Sequence, residues 1–340
     1  MLLILRVLKK LISLFFILFF IGCSNEYKPT VYSYSGRALG TSYKILYSSD
    51  KPLENIDFLT NSIFIEINQS MSNYIKSSDI SKINDGIDSV KVDRHFKKVF
   101  NMSKIIWEST DGFFDPTIGL LVKAYGLGSE KNRQVSVNID SLMNFTGFEK
   151  VSLKNSLVFK DINGIYLDFN AIAKGYCVDE ISNMLKKNNI RNHLVEIGGE
   201  MVAEGINEVN NSPWKVGIID PLNAKSKNFI ESIELKNKAL ASSGNYRKYL
   251  IDSKSGKKIV HTINPKTGNA YETNILASSV IAKDCITADA YATSFMAMPL
   301  EKSLNLISSL DSIDVMIVYY DKNNNVKVYR TEGFEKLILN

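Results

Sequence analysis

The stretch DCITADAYATSFMAM, Asp284 to Met298, reads as a helix that is apolar nearly all the way round. Ala288, Ala290, Tyr291, Ala292 and Phe295 surround its middle, so a fold that contains it has to bury it among other elements. Asp289 and Thr293 interrupt that surface. Four residues apart on a helix, they share one face and sit one turn from each other. An unpartnered carboxylate in such a place costs on the order of several kcal/mol. A carboxylate and a hydroxyl stacked this way offer two hard oxygens, which suits Mg²⁺ with water and phosphate in its remaining positions. A plainer role also fits the pair: Asp289 capping backbone N–H groups near the helix start, and Thr293 bonded to a backbone carbonyl.

Around this helix, strands and helices are mixed without regular alternation. Leu53, Ile56, Leu59, Ile63, Ile67 and Met71 mark one amphipathic helix, and Phe96, Val99, Met102 and Ile106 mark another. SLVFK, GIYLDF, HLVEIG, WKVGII and ILASSVIA read as strands. Leu300 to Leu310 reads as a helix, and IDVMIVYYDKNNNVKVYR closes the chain as strand, Asn-rich turn and strand. The expected fold class is α+β, one domain over residues 31–340 with room for two lobes.

Residues 1–22 stand apart. Arg6, Lys9 and Lys10 precede the apolar run LISLFFILFFIG, which is short for a membrane span and the right length for a signal-peptide core. It ends in FIGC, similar to a bacterial lipobox, in which Cys23 would be lipidated and become the mature N-terminus of an exported, membrane-anchored protein facing the periplasm or the outside. SNEYKPT would then be a tether. The formal charge of +5 falls to about +2 without the leader, so nothing electrostatic argues for a nucleic-acid partner. With Cys23 set aside, only Cys177 and Cys285 remain, both in apolar contexts, so no disulfide framework or zinc cluster is expected.

DFNAIAKGYCVDE, Asp168 to Glu180, sets an apparent strand, Ile165 to Phe169, directly before a helix beginning near Ala171. The first turn of that helix offers free N–H groups and a partial positive charge. Lys174 adds a full charge and Gly175 permits close approach, so the helix mouth can hold an anion. A solvated lysine and a packing glycine would produce the same pattern. His261 ends a strand before the rigid turns of Asn264-Pro265 and Thr267-Gly268, where it can serve as a base or simply cap a strand. VEIGGE and ASSGNYR each end an apolar run in small residues. YGLGSEK lacks the last glycine of a dinucleotide fingerprint, and the chain has neither a GxxxxGK[ST] phosphate loop nor a GxSxG elbow.

Taken together, ALGTSY, SMSNY, DGFFDPT with AYGLG, DFNAIAKGYCVD, LVEIGGE, WKVGIIDP, ASSGNYR, HTINPKTG and ITADAYATSFM resemble, in order, the blocks of the ApbE family of FAD:protein FMN transferases. The resemblance runs from about Gly36 almost to the C-terminus. It implies an enzyme that binds FAD with Mg²⁺, breaks the pyrophosphate, places FMN on a threonine hydroxyl of a target protein and releases AMP. It also implies the residue roles. The Ala171 carbonyl, Asp289 and Thr293 would hold the metal. Asp168, Lys174 and Gly244 would line the FAD site. Leu39, Tyr74, Phe113, Phe114 and Asp115 would hold the flavin and adenine portions. His261 would lie at the reacting end, with His261, Asp289 and Lys174 as the catalytic groups. Leu39 stands where the family usually has methionine, and Asn170 where glycine or serine is frequent. An FAD pyrophosphatase releasing FMN and AMP, and an FAD-storing lipoprotein, are the alternatives. Thr293 lacks an aspartate six residues upstream, so the chain is expected to modify others. By resemblance these are exported flavin-carrying subunits of Nqr- and Rnf-type complexes or related reductases.

Overall fold

ILASSVIA is buried at every residue because it lies in the middle of a sheet that is covered on both faces. The computed structural model describes residues 29–339 except 88, 129–137, 224–227, 246–248, 252–255, 257 and 271–272. The expected leader, Cys23 and most of the tether lie outside the described residues, as do Tyr246 and Arg247 of ASSGNYR and the end of YGLGSEK.

In chain order the strands are β1 Thr30–Ala38, β2 Thr41–Ser49, β3 Val151–Lys154, β4 Leu157–Lys160, β5 His193–Ile197, β6 Glu200–Glu204, β7 Trp214–Ile219, β8 Phe229–Leu235, β9 Lys238–Gly244, β10 Tyr249–Ile251, β11 Lys258–Val260, β12 Ile275–Ala282, β13 Asp314–Tyr320 and β14 Val326–Arg330. The main sheet is antiparallel, in the order β1-β2-β5-β6-β9-β12-β13-β14, and three hairpins, β3–β4, β7–β8 and β10–β11, stand outside it. The helices are α1 Ile56–Met71, α2 Asp79–Asn84, α3 Arg94–Ser109, α4 Gly119–Ala124, α5 Ile139–Met143, α6 Ala173–Lys187, α7 Cys285–Ala297, α8 Leu300–Ile307 and α9 Glu332–Glu335.

Side chains alternate across the sheet as the pleat demands. Val202, Ala239, Ala241, Val280, Val315 and Ile317 face the core built on α1, α3, α6 and α7. Their neighbours Met201, Ala203, Leu240, Ile281, Met316 and Val318 face a second core, closed by Trp214, Val216, Ile233 and Leu235 of β7–β8 and by Phe334 of α9. Cover on both faces explains why the central strands read as unbroken apolar runs. The architecture is the α+β class expected, with a single main sheet.

One expected strand takes a different form. After a turn at Gly164, Ile165 to Phe169 buries Ile165, Leu167 and Phe169 at alternate positions, yet its one bridge joins Tyr166 to Ile118. Side chains replace the missing ladder. Asn84 accepts from the Leu167 N–H at 2.8 Å and donates to the Leu167 carbonyl at 2.9 Å, Asn73 donates to the same carbonyl at 3.1 Å, and the Asp168 N–H reaches Pro116 O at 2.7 Å. Two asparagines thus do what a neighbouring strand does elsewhere.

Beneath the sheet, His193 is fully buried, with Nε2 2.8 Å from Ser182 Oγ and Nδ1 3.2 Å from the Ile190 carbonyl. A carbonyl only accepts, so Nδ1 carries the proton and Nε2 accepts from Ser182. Burial pushes this imidazole down from 6.5 to about 4. The folded state therefore refuses a proton that the unfolded chain takes up below pH 6.5, and stability from this group is lost as pH falls from 6.5 to 4. Urea denaturation of wild type and His193→Gln should give a stability difference that shrinks by up to about 3 kcal/mol between pH 7 and pH 4. A difference that is constant across that range would contradict the assignment.

Candidate active site

α6 and α7 approach each other so closely that only glycine fits at the contact. A Cβ on Gly175 would lie 2.3 Å from the Cys285 carbonyl oxygen and 2.7 Å from Asp289 Cβ. The approach lets the Gly175 N–H donate to Asp289 Oδ2 at 2.9 Å. Inside a regular helix that N–H would turn back to the carbonyl of Ala171. Among the described residues that carbonyl accepts no hydrogen bond.

Asp289 is 2% exposed, and its second oxygen, Oδ1, lies 3.8 Å from Lys174 Nζ. The same ammonium pairs with Glu200 Oε2 at 2.6 Å. Glu200 opens β6 directly after Gly198 and Gly199, both in the left-handed region (φ 63° and 103°), so the β5–β6 turn aims a buried carboxylate at the α6 mouth. Thr293 sits one turn beyond Asp289, half-buried, with its hydroxyl 3.3 Å from Ser243 Oγ. Gly244, buried at the end of β9, follows Ser243. The structure thus joins Lys174, Asp289 and Glu200 at the start of α6, and joins Thr293, one turn along α7, to Ser243 beside Gly244, while Ala171 lies just before α6.

The start of α7 is held from two sides. Asp284 accepts from the Thr287 N–H at 3.1 Å in the usual capping manner. Asp179, on α6, accepts from the Cys285 and Ile286 N–H groups, both at 2.8 Å. Burial pushes the Asp179 carboxyl up to about 7 against the pull of those two bonds. Cys177 and Cys285 are buried, free thiols, and burial raises both well above the usual thiol range.

Of the remaining expected site residues, Tyr74 and Asp168 share one cleft, and the others lie on separate segments. Tyr74 is exposed and shares a shallow cleft with Tyr166, Lys123, Asp168 and Asn170. Asp168 is half-buried and accepts from the Asn170 N–H at 2.7 Å, while burial raises its carboxyl. Phe113 and Phe114 are buried just after α3, and the Lys302 ammonium lies 5.0 Å over the Phe113 ring. Asp115 is buried and engaged within the protein: Oδ1 takes the Thr117 N–H and hydroxyl at 2.8 and 2.5 Å, and Oδ2 takes the Phe148 N–H at 3.1 Å. Burial raises this carboxyl too. His261 is half-exposed directly after β11. Its turn reaches the Phe113 loop, where Lys266 Nζ lies 3.9 Å from Asp111 Oδ1. Leu39 and Gly40 form the two-residue tip of the β1–β2 hairpin with φ of 49° and 74°. A left-handed leucine is strained by roughly 1 kcal/mol or more, and such strain persists where the surroundings hold it.

Glu200, Ser243 and Asp179 were not singled out by sequence. The available signals were the acid closing VEIGGE and the four-residue step from Gly175 to Asp179, which puts both on one face of α6.

The chain matches the ApbE family over residues 39–317. It is 31% identical over 337 residues to the FAD:protein FMN transferase of Vibrio cholerae, covering 96% of this chain and 98% of that protein. It is 30% identical over 339 residues to that of Haemophilus influenzae, covering 93% of each. Among solved structures, the flavin transferase ApbE from Vibrio cholerae superposes with a TM-score of 0.81 at 28% identity, covering 91% of this chain and 100% of that one. The apo form of the Pseudomonas stutzeri flavinyl transferase ApbE superposes with a TM-score of 0.81 at 26% identity, covering 92% and 98%. The chain belongs to the ApbE family.

The contact between α6 and α7 has a direct test. Gly175→Ala puts a methyl group against backbone, which cannot yield as a flexible side chain would, so it should cost about 1–3 kcal/mol of stability in chemical denaturation. An unchanged unfolding midpoint would mean that the helices are not in contact there.

Proposed function

We infer that the chain is an FAD:protein FMN transferase, an enzyme that moves FMN from FAD onto a target protein. The observation that carries the chemical reading is the convergence at the α6 mouth. The buried Asp289 carboxylate lies beside the Lys174 ammonium, the Thr293 hydroxyl sits one turn further along the same helix, and the Ala171 carbonyl, just before α6, accepts no hydrogen bond among the described residues. Among the described residues no three His, Cys, Asp or Glu side chains gather as a metal cage. An all-oxygen set with few protein donors fits Mg²⁺, which is commonly completed by water and substrate phosphate. In this reading Ala171 O, Asp289 and Thr293 would hold the ion. What Mg²⁺ supplies when bound is withdrawal of charge from the pyrophosphate.

The chain's own residues do the rest. Lys174, steadied by Glu200, neutralises negative charge gathering on the phosphates. Asp168, Tyr74, Leu39, Gly244 and the Phe113–Asp115 loop orient the two ends of FAD, with Asp115 acting by fixing that loop. His261 takes the proton of the acceptor threonine. The threonine oxygen then bonds to the FMN phosphorus, the bond from that phosphorus to the bridging oxygen breaks, and AMP leaves with the electron pair. We further propose that Cys23 is lipidated and that the enzyme works outside the cytoplasm on a bacterial membrane. Its targets there would be Nqr- or Rnf-type flavin subunits or related reductases. No helix among the described residues is long and apolar enough to cross a membrane.

A soluble form beginning at Ser24, mixed with FAD, Mg²⁺ and a flavin-acceptor domain, should raise the acceptor's intact mass by one FMN. Asp289→Ala should lower that transfer at least about a hundredfold, and EDTA should abolish it. AMP and free FMN accumulating beside an unmodified acceptor would make the protein a pyrophosphatase. FAD bound and left whole beside a competent acceptor would make it a storage protein.

A further inference from the structure

We propose that Asp179 is a positioning residue for the transfer reaction: it ties α6 to the first turn of α7 and so sets where Asp289 and Thr293 point. This rests on the metal reading above. The geometry is specific. A helix start leaves its first N–H groups without internal partners. In α7, Asp284 covers Thr287 N, while the Cys285 and Ile286 N–H groups are each given one oxygen of Asp179, at 2.8 Å. A carboxylate from a different helix, spread over two consecutive amides, fixes both the height and the rotation of α7 against α6. Gly175 lies four residues before Asp179 on the same face, and its N–H holds Asp289 Oδ2. The two helices are therefore pinned at two points one turn apart. One pin is the metal-ligand candidate itself, and the other is Asp179. A small rotation of α7 moves Asp289 and Thr293 together, away from the Ala171 carbonyl and Lys174 on α6. The groups around Asp179 offer no substitute: Asp284 is engaged by the Thr287 N–H at 3.1 Å, Lys186 is engaged with Glu204 at 2.8 Å, and Cys177 and Cys285 are buried thiols.

The test compares wild type, Asp179→Ala and Asp179→Asn, each shown folded by circular dichroism. Three readouts are needed: the Mg²⁺ concentration for half-maximal transfer, Mn²⁺ binding in the presence of ADP followed by EPR, and FAD binding in EDTA followed by flavin fluorescence. Asp179→Ala should raise the Mg²⁺ requirement roughly ten- to a hundredfold and weaken Mn²⁺ binding in parallel. FAD binding without metal should stay within about twofold. Asp179→Asn, which keeps one acceptor oxygen, should fall between, and it carries the test alone if the alanine variant does not fold. A lowered melting temperature with unchanged Mg²⁺ and Mn²⁺ dependence would make Asp179 merely structural and overturn the inference. Wild-type transfer that survives EDTA would remove the metal reading itself, and this inference with it.

Discussion

The close passage of α6 over α7 is the constraint on which the site depends. Where two helices normally keep 8–10 Å between their axes, a glycine at the crossing lets backbone meet backbone. The scarcity of charged side chains on α7, where Asp289 is the one example, follows from this position, since it is packed between the sheet, α3 and α6. Asp289 meets α6 near its start, where the Gly175 N–H and the Lys174 ammonium face its two oxygens. The large antiparallel sheet serves as a floor. Through Ser243, Gly244 and Glu200 it closes the site from below, and it keeps the helix pair from sliding.

A second theme is that irregular chain is kept in place by side chains acting as backbone. Asn84 and Asn73 complete the hydrogen bonds of the extended segment leading to α6, and Asp115 with Thr117 ties the Phe113 loop to Gly147 and Phe148. Loops around a ligand cannot pair as strands without closing the opening. Buried polar groups there still need partners, and short amides and carboxylates supply them. Asp115 reads in sequence as a candidate ligand contact. Its carboxylate is engaged inside the protein, by the Thr117 N–H and hydroxyl and the Phe148 N–H.

Much of this was legible in the sequence where periodicity or spacing is local. The helices at Ile56–Met71, Arg94–Ser109 and Leu300–Ile307 follow from apolar residues three and four apart, Cys285–Ala297 from being apolar nearly all the way round, and β12 from its unbroken apolar run. The pairing of Asp289 with Thr293 is one helical turn and needs no tertiary information. The segment 165–169 misled because alternation reports which side of an extended chain is buried, not whether a neighbour supplies hydrogen bonds. Glu200, Ser243 and Asp179 escaped notice for a different reason. Their partners lie far off in sequence, at Lys174, Thr293 and Cys285, and neither composition nor period encodes such encounters. Leu39 is a similar case: nothing in Ala-Leu-Gly-Thr signals a left-handed leucine, since that place in a tight hairpin normally takes Asn, Asp or Gly.

The two buried cysteines have a practical consequence. A form beginning at Ser24 retains no thiol except Cys177 and Cys285, both sealed in the core and held in the unreactive, protonated form. Such a protein is a silent background for maleimide chemistry. One cysteine placed by design on the hairpin tip, or on the surface around Tyr74, would be the sole site to take a fluorophore or spin label. Distances between that label and the intrinsic fluorescence of a bound flavin could then be followed during turnover, without first removing any native residue.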